Sequence, residues 1–362
     1  MYGLVSKLGV SLVRGFTKIE GKLRKLKKGG GRKPDFTPVT YSYFLREAEK
    51  LGISANILQN NVLQLRKNGS VHNVWASYTD FDGQATLNLA GDKVICYEML
   101  MKAGLPVPNH IVLKSGDFMG ALRFKDQCGG PVVIKPARFT GDSRGVTVRP
   151  EGWYGIWYAV NSASMFGNEI LVEQFIEGSN YRLLFCKGKF LSACLRKQAQ
   201  VTGDGQSRII DLIEKANVGR RNQGDYVPYD RRTRPIRYKI EISGSLKEWV
   251  KKQGYSLDSI PEPNQVVQLQ NICHWLKGGE YIDVTDGISE ELVEAGRKAV
   301  EATGIKLGGV DVIAQDIKKP AAGTYVINEV NTSPGLLVHY EVQNQEQMRP
   351  VAEEIMRIMF EG

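Results

Sequence analysis

At 362 residues, with 42% hydrophobic and 24% charged positions, the chain has the make-up of a globular protein long enough for two or three packed domains. No apolar run approaches the ~18 residues of a membrane-spanning helix. The formal charge of +9 sits entirely in the first arm: residues 1–33 hold ten Lys/Arg against the single acid Glu20, leaving 38 basic and 38 acidic residues elsewhere. A balanced body argues against a nucleic-acid-binding core. Five scattered cysteines (Cys96, Cys128, Cys186, Cys194, Cys273) and four scattered histidines (His72, His110, His274, His339) offer neither C-x-x-C spacing nor a zinc-type set, which points to reduced thiols in a cytosolic setting.

In the arm, Val5, Leu8, Leu12, Phe16, Ile19, Leu23 and Leu26 recur at three and four residues and gather on one face of a helix. Lys7, Arg14, Lys18, Lys22, Arg24, Lys25 and Lys27 cover much of the other face. Such a helix suits packing on its own body, docking on an anionic membrane surface or a partner, or targeting. GGGRKP (29–34) reads as a flexible linker. From residue 38 the pattern is αβ. SYFLREAEKLGI is an amphipathic helix, VLQLRKNGSVHNVWAS is a hairpin around Asn68-Gly69, and AGDKVICYEMLMKAGLPVP is a helix closed by Gly104 and Pro106. GPVVIKPA (130–137) is a strand running into the polar, glycine-bearing turn RFTGDSRGVTV. Further strands are expected at 169–176, within 181–197, at 307–317 and at 324–331, with amphipathic helices at 289–303 and 346–359. Residues 203–285 form a long insertion, rich in arginine near 220–237.

The chemistry concentrates on the later strands. Glu329 and Asn331 lie two apart in VINEVNTSPG and share a strand face, while Ile327 and Val330 help bury the other side. Two oxygen donors on one rigid face suit a hard cation such as magnesium. Asp311, in GGVDVI, would bring a third oxygen if its strand neighbours that one. A buried strand aspartate is costly unless it serves a purpose. Lys135 ends an apolar strand before the Gly141–Gly145 loop, and Lys93 opens a helix after Gly91-Asp92; both are placed to meet phosphate oxygens.

In order and spacing, DK, strand-KP-Gly loop, VEQFIEGSNYRLLF, ACLRKQAQVTGDG, VD and EVNTSPG resemble the ATP-grasp superfamily from about residue 40 to 362. GDGQSRIIDLI, QGYSLDSIP and GGEYIDVTDGIS look most like the ATP-grasp half of cyanophycin synthetases and related glutathione-type ligases. EVNTSPG also looks like D-alanine–D-alanine ligase. The resemblance implies an α+β (α/β) ATP-grasp fold, the nucleotide held between two α+β lobes. Its expected divisions are the arm and linker 1–33, a small N-terminal α/β domain 34–105, a central lobe 106–175 and a C-terminal lobe 176–362 carrying the insertion. It further implies Lys93 and Lys135 on the ATP phosphates, with Arg144 and Gly145 on a loop at 138–145 that folds over them as a lid. Glu173, Gln174 and Ile176 would face the adenine mainly through backbone groups, and Asn180 would stand where an acid usually meets the ribose. Asp311, Glu329 and Asn331 would hold two magnesium ions, with manganese as an alternative, and Arg196 would steady the transferring phosphoryl group.

The implied activity is that of an ADP-forming carboxylate–amine ligase (EC 6.3 type) acting on an amino-acid or peptide-like substrate. Homodimers and homotetramers are common in that group. A kinase-like phosphotransferase and a non-catalytic nucleotide-binding module docking through the arm remain as alternatives. The chain also departs from the family it resembles. The segment usually reading ANLSTGG is CHWLKGG (273–279), and a usual arginine before it is Gln270, so the substrate pocket is expected to be rebuilt. His274, Trp275 and Lys277 are candidate substrate contacts, with packing the plainer reading of Trp275, and His339 is a candidate to border the acceptor site. Arg220, Arg221, Arg231, Arg232, Arg234 and Arg237 either bind a carboxylate-rich substrate bidentately or form a solvated loop. These residues hold no counterpart of the Mur-ligase-like half, so one ligation rather than two alternating ones is expected of them. Deleting residues 1–33 is expected to leave catalysis intact in an ATP-turnover assay; lost activity would place the arm in the folded body.

Overall fold

The computed structural model describes residues 39–138, 144–220, 238–273, 277–320 and 323–361. The basic arm, positions 139–143 of the expected lid, His274, Trp275 and the arginines from Arg221 to Arg237 lie outside the described residues. Helix α1 (Val39–Lys50) precedes strands β1 (Ser54–Ile57), β2 (Val62–Lys67), β3 (Ser70–Trp75) and β4 (Tyr78–Thr79), then α2 (Gln84–Gly91) and α3 (Lys93–Lys102). Next come β5 (His110–Lys114), α4 (Phe118–Cys128), β6 (Val132–Pro136), β7 (Thr147–Val148), α5 (Gly152–Ser164) and β8 (Glu169–Gln174). Strands β9 (Ser179–Cys186) and β10 (Lys189–Lys197) are followed by β11 (Gln200–Thr202), α6 (Ile209–Asn217), α7 (Gly244–Lys252) and β12 (Val266–Gln268). The chain closes with β13 (Glu280–Asp283), α8 (Glu290–Thr303), β14 (Leu307–Ala314), β15 (Tyr325–Asn331), α9 (Leu337–Tyr340) and α10 (Val351–Glu361).

Four antiparallel sheets result, in the orders β1-β2-β3-β4, β5-β8-β6-β7, β13-β10-β9-β14-β15 and β11-β12. The β2–β3 hairpin turns at Asn68 and Gly69, whose φ values of 50° and 83° are what a two-residue type I′ connection demands. Asp92 leaves helical geometry and its carboxylate accepts from the Val94 and Ile95 amides, which is why the single helix expected around Lys93 is two. The expected helix at 346–359 starts instead at Val351. Pro350 precedes it, and residues 345–347 form a separate single turn.

Residues 39–102 do not share one core. Tyr41, Phe44, Leu63 and Leu65 pack with Leu336, Ile355, Met356 and Met359 from the far end of the chain and with Leu184 and Cys186 of β9. Tyr43 stacks on Tyr340 at 4.1 Å, nearly coplanar. Helix α3 belongs elsewhere: its Cys96, Tyr97 and Leu100 join a cluster with Leu183, Val310 and Ile327 of the five-stranded sheet and Leu292 of α8. The β5–β8 sheet keeps a cluster of its own around Phe124, Ile134, Ile156 and Ile170. The segment between β10 and β13 likewise packs around Val201, Ile213, Leu246 and Val267. Because α1 and α10 bury the same core, Phe44→Ala and Met356→Ala should each lower unfolding free energy by about 2–5 kcal/mol in urea titrations. Loss of less than ~1 kcal/mol from both would mean that this contact is not maintained in solution.

Candidate active site

Pairing across the five-stranded sheet aligns Asp283, Cys194, Arg182, Asp311 and Glu329 in one row. Residues of one row face the same side of a sheet, so Arg182, Asp311 and Glu329 project together. Arg196, two residues beyond Cys194, projects with them. The Asp311 carboxylate, 8% exposed, is gripped from two strands: Arg182 donates through Nε and, at 2.9 Å, through Nη2, and Arg196 Nη1 donates at 2.9 Å. Burial alone would raise the Asp311 pKa; the two guanidinium charges outweigh it and hold it below the ordinary range. Gly309 makes room for this, since a Cβ there would stand 2.9 Å from Arg182 Cδ and 3.0 Å from Pro334 Cβ.

Beside that row, β15 carries an irregularity. Asp311 pairs with Glu329 but Val312 with Ile327, so Asn328 bulges out of register. Strict alternation would set Ile327 on the face of Glu329; the bulge instead turns Ile327 inward, to 0% exposure, and leaves Glu329 and Asn331 half-exposed. Tyr97 reaches this point from α3, its hydroxyl 2.8 Å from the Asn328 carbonyl and 2.9 Å from Glu173 Oε1. Glu173 in turn is paired with Lys135 at 2.7 Å, and Lys135 Nζ also sits 5.6 Å from the Tyr97 ring centre. Lys93 Nζ lies 3.9 Å from Glu329 Oε1. Burial depresses its pKa, partly countered by Glu329, while Lys135 adds repulsion. Two lysines, two arginines and three carboxylates thus meet where α3, β6 and β8 approach the five-stranded sheet.

Residues 99–203 match the family described as D-ala D-ala ligase C-terminus. The chain is 33% identical to a cyanophycin synthetase of Synechocystis sp. over 290 residues, covering 79% of itself and 32% of that protein. It is 27% identical to the glutathione biosynthesis bifunctional protein GshAB of Mannheimia succiniciproducens over 303 residues, 81% of itself and 39% of the relative. The bifunctional glutathione synthetase from Pasteurella multocida superposes with a TM-score of 0.65 at 25% identity, over 90% of this chain and 44% of that one. This chain belongs to the ATP-grasp superfamily. It spans about a third of the length of the cyanophycin synthetases it matches.

Within this ATP-grasp chain the structure brings Lys93, Lys135, Glu173, Arg196, Asp311, Glu329 and Asn331 to one region, Asp311 and Glu329 as direct neighbours. The Asn331 amide nitrogen donates to the Gly309 carbonyl at 3.3 Å. The hinge differs from expectation in its hydrogen bonding. Glu173 is buried with its side chain committed to Lys135 and Tyr97, and the Gln174 amide donates to the Asn109 carbonyl at 2.8 Å. Of the expected hinge, the Gln174 carbonyl and the Ile176 amide make no backbone hydrogen bond outside the sheet ladder among the described residues. Asn180 pairs in register with Arg196 across β9 and β10, Gly145 (φ 72°) packs against Phe166, and Arg144 and Lys277 are exposed. Two participants escaped the sequence reading. Arg182 was signalled only by a charge inside the apolar run YRLLF; Tyr97 carried no signal beyond helical spacing.

His339 does not border an open acceptor site in this arrangement. It is fully buried, its Nδ1 3.0 Å from Ser192 Oγ and its Nε2 without a partner among the described residues. Burial, with the Arg182 charge adding to it, pushes its pKa down to about 3. The folded state therefore binds fewer protons at His339 than the unfolded state, whose value is about 6.5. Its contribution to stability is full above that value and is lost as pH falls from about 6.5 towards about 3, by up to about 1.4 kcal/mol per unit. Urea titrations at pH 7.5, 6 and 5 should show this slope, and His339→Leu should be less stable at pH 7.5 yet flatter over the same interval. An unchanged slope in that variant would place the titration elsewhere.

Proposed function

We propose that this ATP-grasp chain is an ADP-forming carboxylate–amine ligase, acting on an amino-acid or peptide-like acid. The observation that carries the reading is the pairing of Asp311 with Glu329 on adjacent strands, faced by Lys93 and Lys135 from two other elements. ATP-grasp ligases in general work with ATP and magnesium. The donor set fits the ion: two carboxylates and the Asn331 amide are hard oxygen ligands, and among the described residues Glu329 has only Lys93, at 3.9 Å, as an ion-pair partner. Asp311, Glu329 and Asn331 would hold magnesium, two ions on the fuller reading, and the metal would supply charge neutralisation to the phosphate oxygens.

In this reading Lys93 and Lys135 neutralise the ATP phosphates, Arg144 and Gly145 cover them, and the Gln174 carbonyl and Ile176 amide meet the adenine edge. Asn180 takes the ribose hydroxyls. An oxygen of the acid substrate attacks the γ-phosphorus, the bond to the β-phosphate oxygen breaks and ADP leaves. Arg196, already within the charged cluster, steadies the transferring phosphoryl group. A free amine then attacks the carbonyl carbon of the acyl phosphate, phosphate departs with the electron pair, and the amine releases a proton as the amide forms. Water would intercept that acyl phosphate, which is the physical need for a closed site. Lys277, and His274 beyond the described residues, remain candidates for contact with either substrate.

Glu329→Gln should lower ADP release by about 100-fold or more while leaving the melting temperature within a degree or two, because the residue is half-exposed and loosely paired. Asp311→Asn should also stop turnover but melt markedly lower, since it leaves Arg182 and Arg196 facing a neutral amide. Near-normal turnover in both would remove the metal assignment. ADP release that needs an acid but no amine, with a phosphorylated product, would replace the ligase by a phosphotransferase.

A further inference from the structure

The cavity beside Glu329 bears on which acid enters. It holds about 490 Å³ and is bounded on one side by Lys93, Glu329 and Asn331, and on the other by Trp75, Tyr78 and the α2 side chains Gln84 and Asn88. Among the described residues, Lys93 and Glu329 are the only charged ones along its wall. An occupant whose carboxylate reaches the phosphate-binding end therefore sets its tail among uncharged groups, where neither an anionic nor a cationic tail finds a counter-charge.

Two of those groups form an aromatic pair. Trp75 and Tyr78 stack with centroids 5.9 Å apart and planes inclined by 19°, and Trp75 remains 57% exposed although it ends a strand. The turn that sets them side by side is strained: Ala76 adopts φ 55°, a left-handed conformation that costs a residue with a Cβ roughly 1–2 kcal/mol. The buried Tyr41 hydroxyl holds it there, 3.1 Å from the Val74 carbonyl and accepting the Ala76 amide at 3.0 Å. An aromatic pair with one exposed member, Trp75, and a half-buried one, Tyr78, kept in place by a buried hydrogen bond at a strained residue, has the form of a recognition surface. Alongside it, Gln84 Nε2 donates to Asn88 Oδ1 at 2.9 Å, which orients the two amides and leaves Gln84 Oε1 to accept and Asn88 Nδ2 to donate.

We propose that this cavity selects a carboxylic acid whose tail is uncharged and planar, an aryl group stacking on Trp75 with its polar edge towards Gln84 and Asn88. The inference rests on the ligase reading for the position of the carboxylate, but not for the tail. Its test is isothermal titration of the full chain, loaded with magnesium and a non-hydrolysable ATP analogue, with indole-3-acetate, hexanoate, glutarate and 6-aminohexanoate as probes, alongside ADP release with each acid and an amine pool. Indole-3-acetate should bind about tenfold more tightly than the charged-tail acids, Trp75→Ala should remove most of that margin and Trp75→Phe should keep it. Trp75 is exposed, so neither variant touches the core. Equal affinity for all four acids, or an unchanged margin in Trp75→Ala, overturns the selection proposed here while acid-dependent ADP release still stands for a ligase. Selective binding without ADP from any acid and amine leaves the cavity assignment intact and counts against the ligase.

Discussion

The candidate site depends on one buried carboxylate held by two guanidinium groups. Asp311 is taken out of water on an inner strand of a five-stranded sheet, a placement that would be costly alone, and Arg182 and Arg196 from two other strands donate to its oxygens. The arrangement fixes the register of three strands at once, because Arg182 must lie opposite Asp311 and Arg196 one step along. It also fixes Gly309, the position at which any side chain would push Arg182 away. With Lys93 and Lys135 opposite Glu173, Asp311 and Glu329, four cations stand against three anions. Such a cluster has one positive charge in excess, which would suit a ligand that brings negative phosphates together with a cation.

The fold was legible wherever local pattern and tertiary demand agree. The hairpin at Asn68-Gly69, the strand ending at Lys135 and the Asp311–Glu329 pairing follow from turn chemistry and from alternation in β-branched runs. The legible part of the site was its acids and lysines, which stand out as charges in or beside apolar runs. Arg182 was not, because a lone charge inside YRLLF reads equally well as an exposed strand residue; only the neighbouring strand reveals its partner. Glu173 was read by its backbone position, whereas its side chain turns inward to Lys135, a contact between β8 and β6 that no local spacing encodes. His339 follows the same logic in reverse. It sits just past a motif-rich turn, yet α9 carries it into the core against Ser192.

The cavity wall draws on both ends of the chain. Trp75 and Tyr78 belong to a small sheet whose core is completed by α10, so the pair is as firmly placed as the contact between residues near 44 and those near 356. The opposite wall, β15, is anchored in a different cluster with α3 and α8. Two cores that share strand β9 therefore flank one opening, whose lining also includes Thr332 and Ser333 beyond β15.

Asn328 illustrates how much one irregular residue decides. Without the bulge, β15 would continue its alternation, Ile327 would face the same side as Glu329, and the α3 cluster would lose a fully buried side chain. With it, Glu329 and Asn331 keep the face that Asp311 uses, and the displaced Asn328 carbonyl becomes available to the Tyr97 hydroxyl. That hydroxyl also reaches Glu173 of β8, the partner of Lys135 in β6. A single extra residue in one strand thus both packs the core correctly and gives α3, β8 and β15 a shared polar contact beside the proposed phosphate site, which is why a strict period-two reading of VINEVN accounts for Glu329 and Asn331 and not for the burial of Ile327.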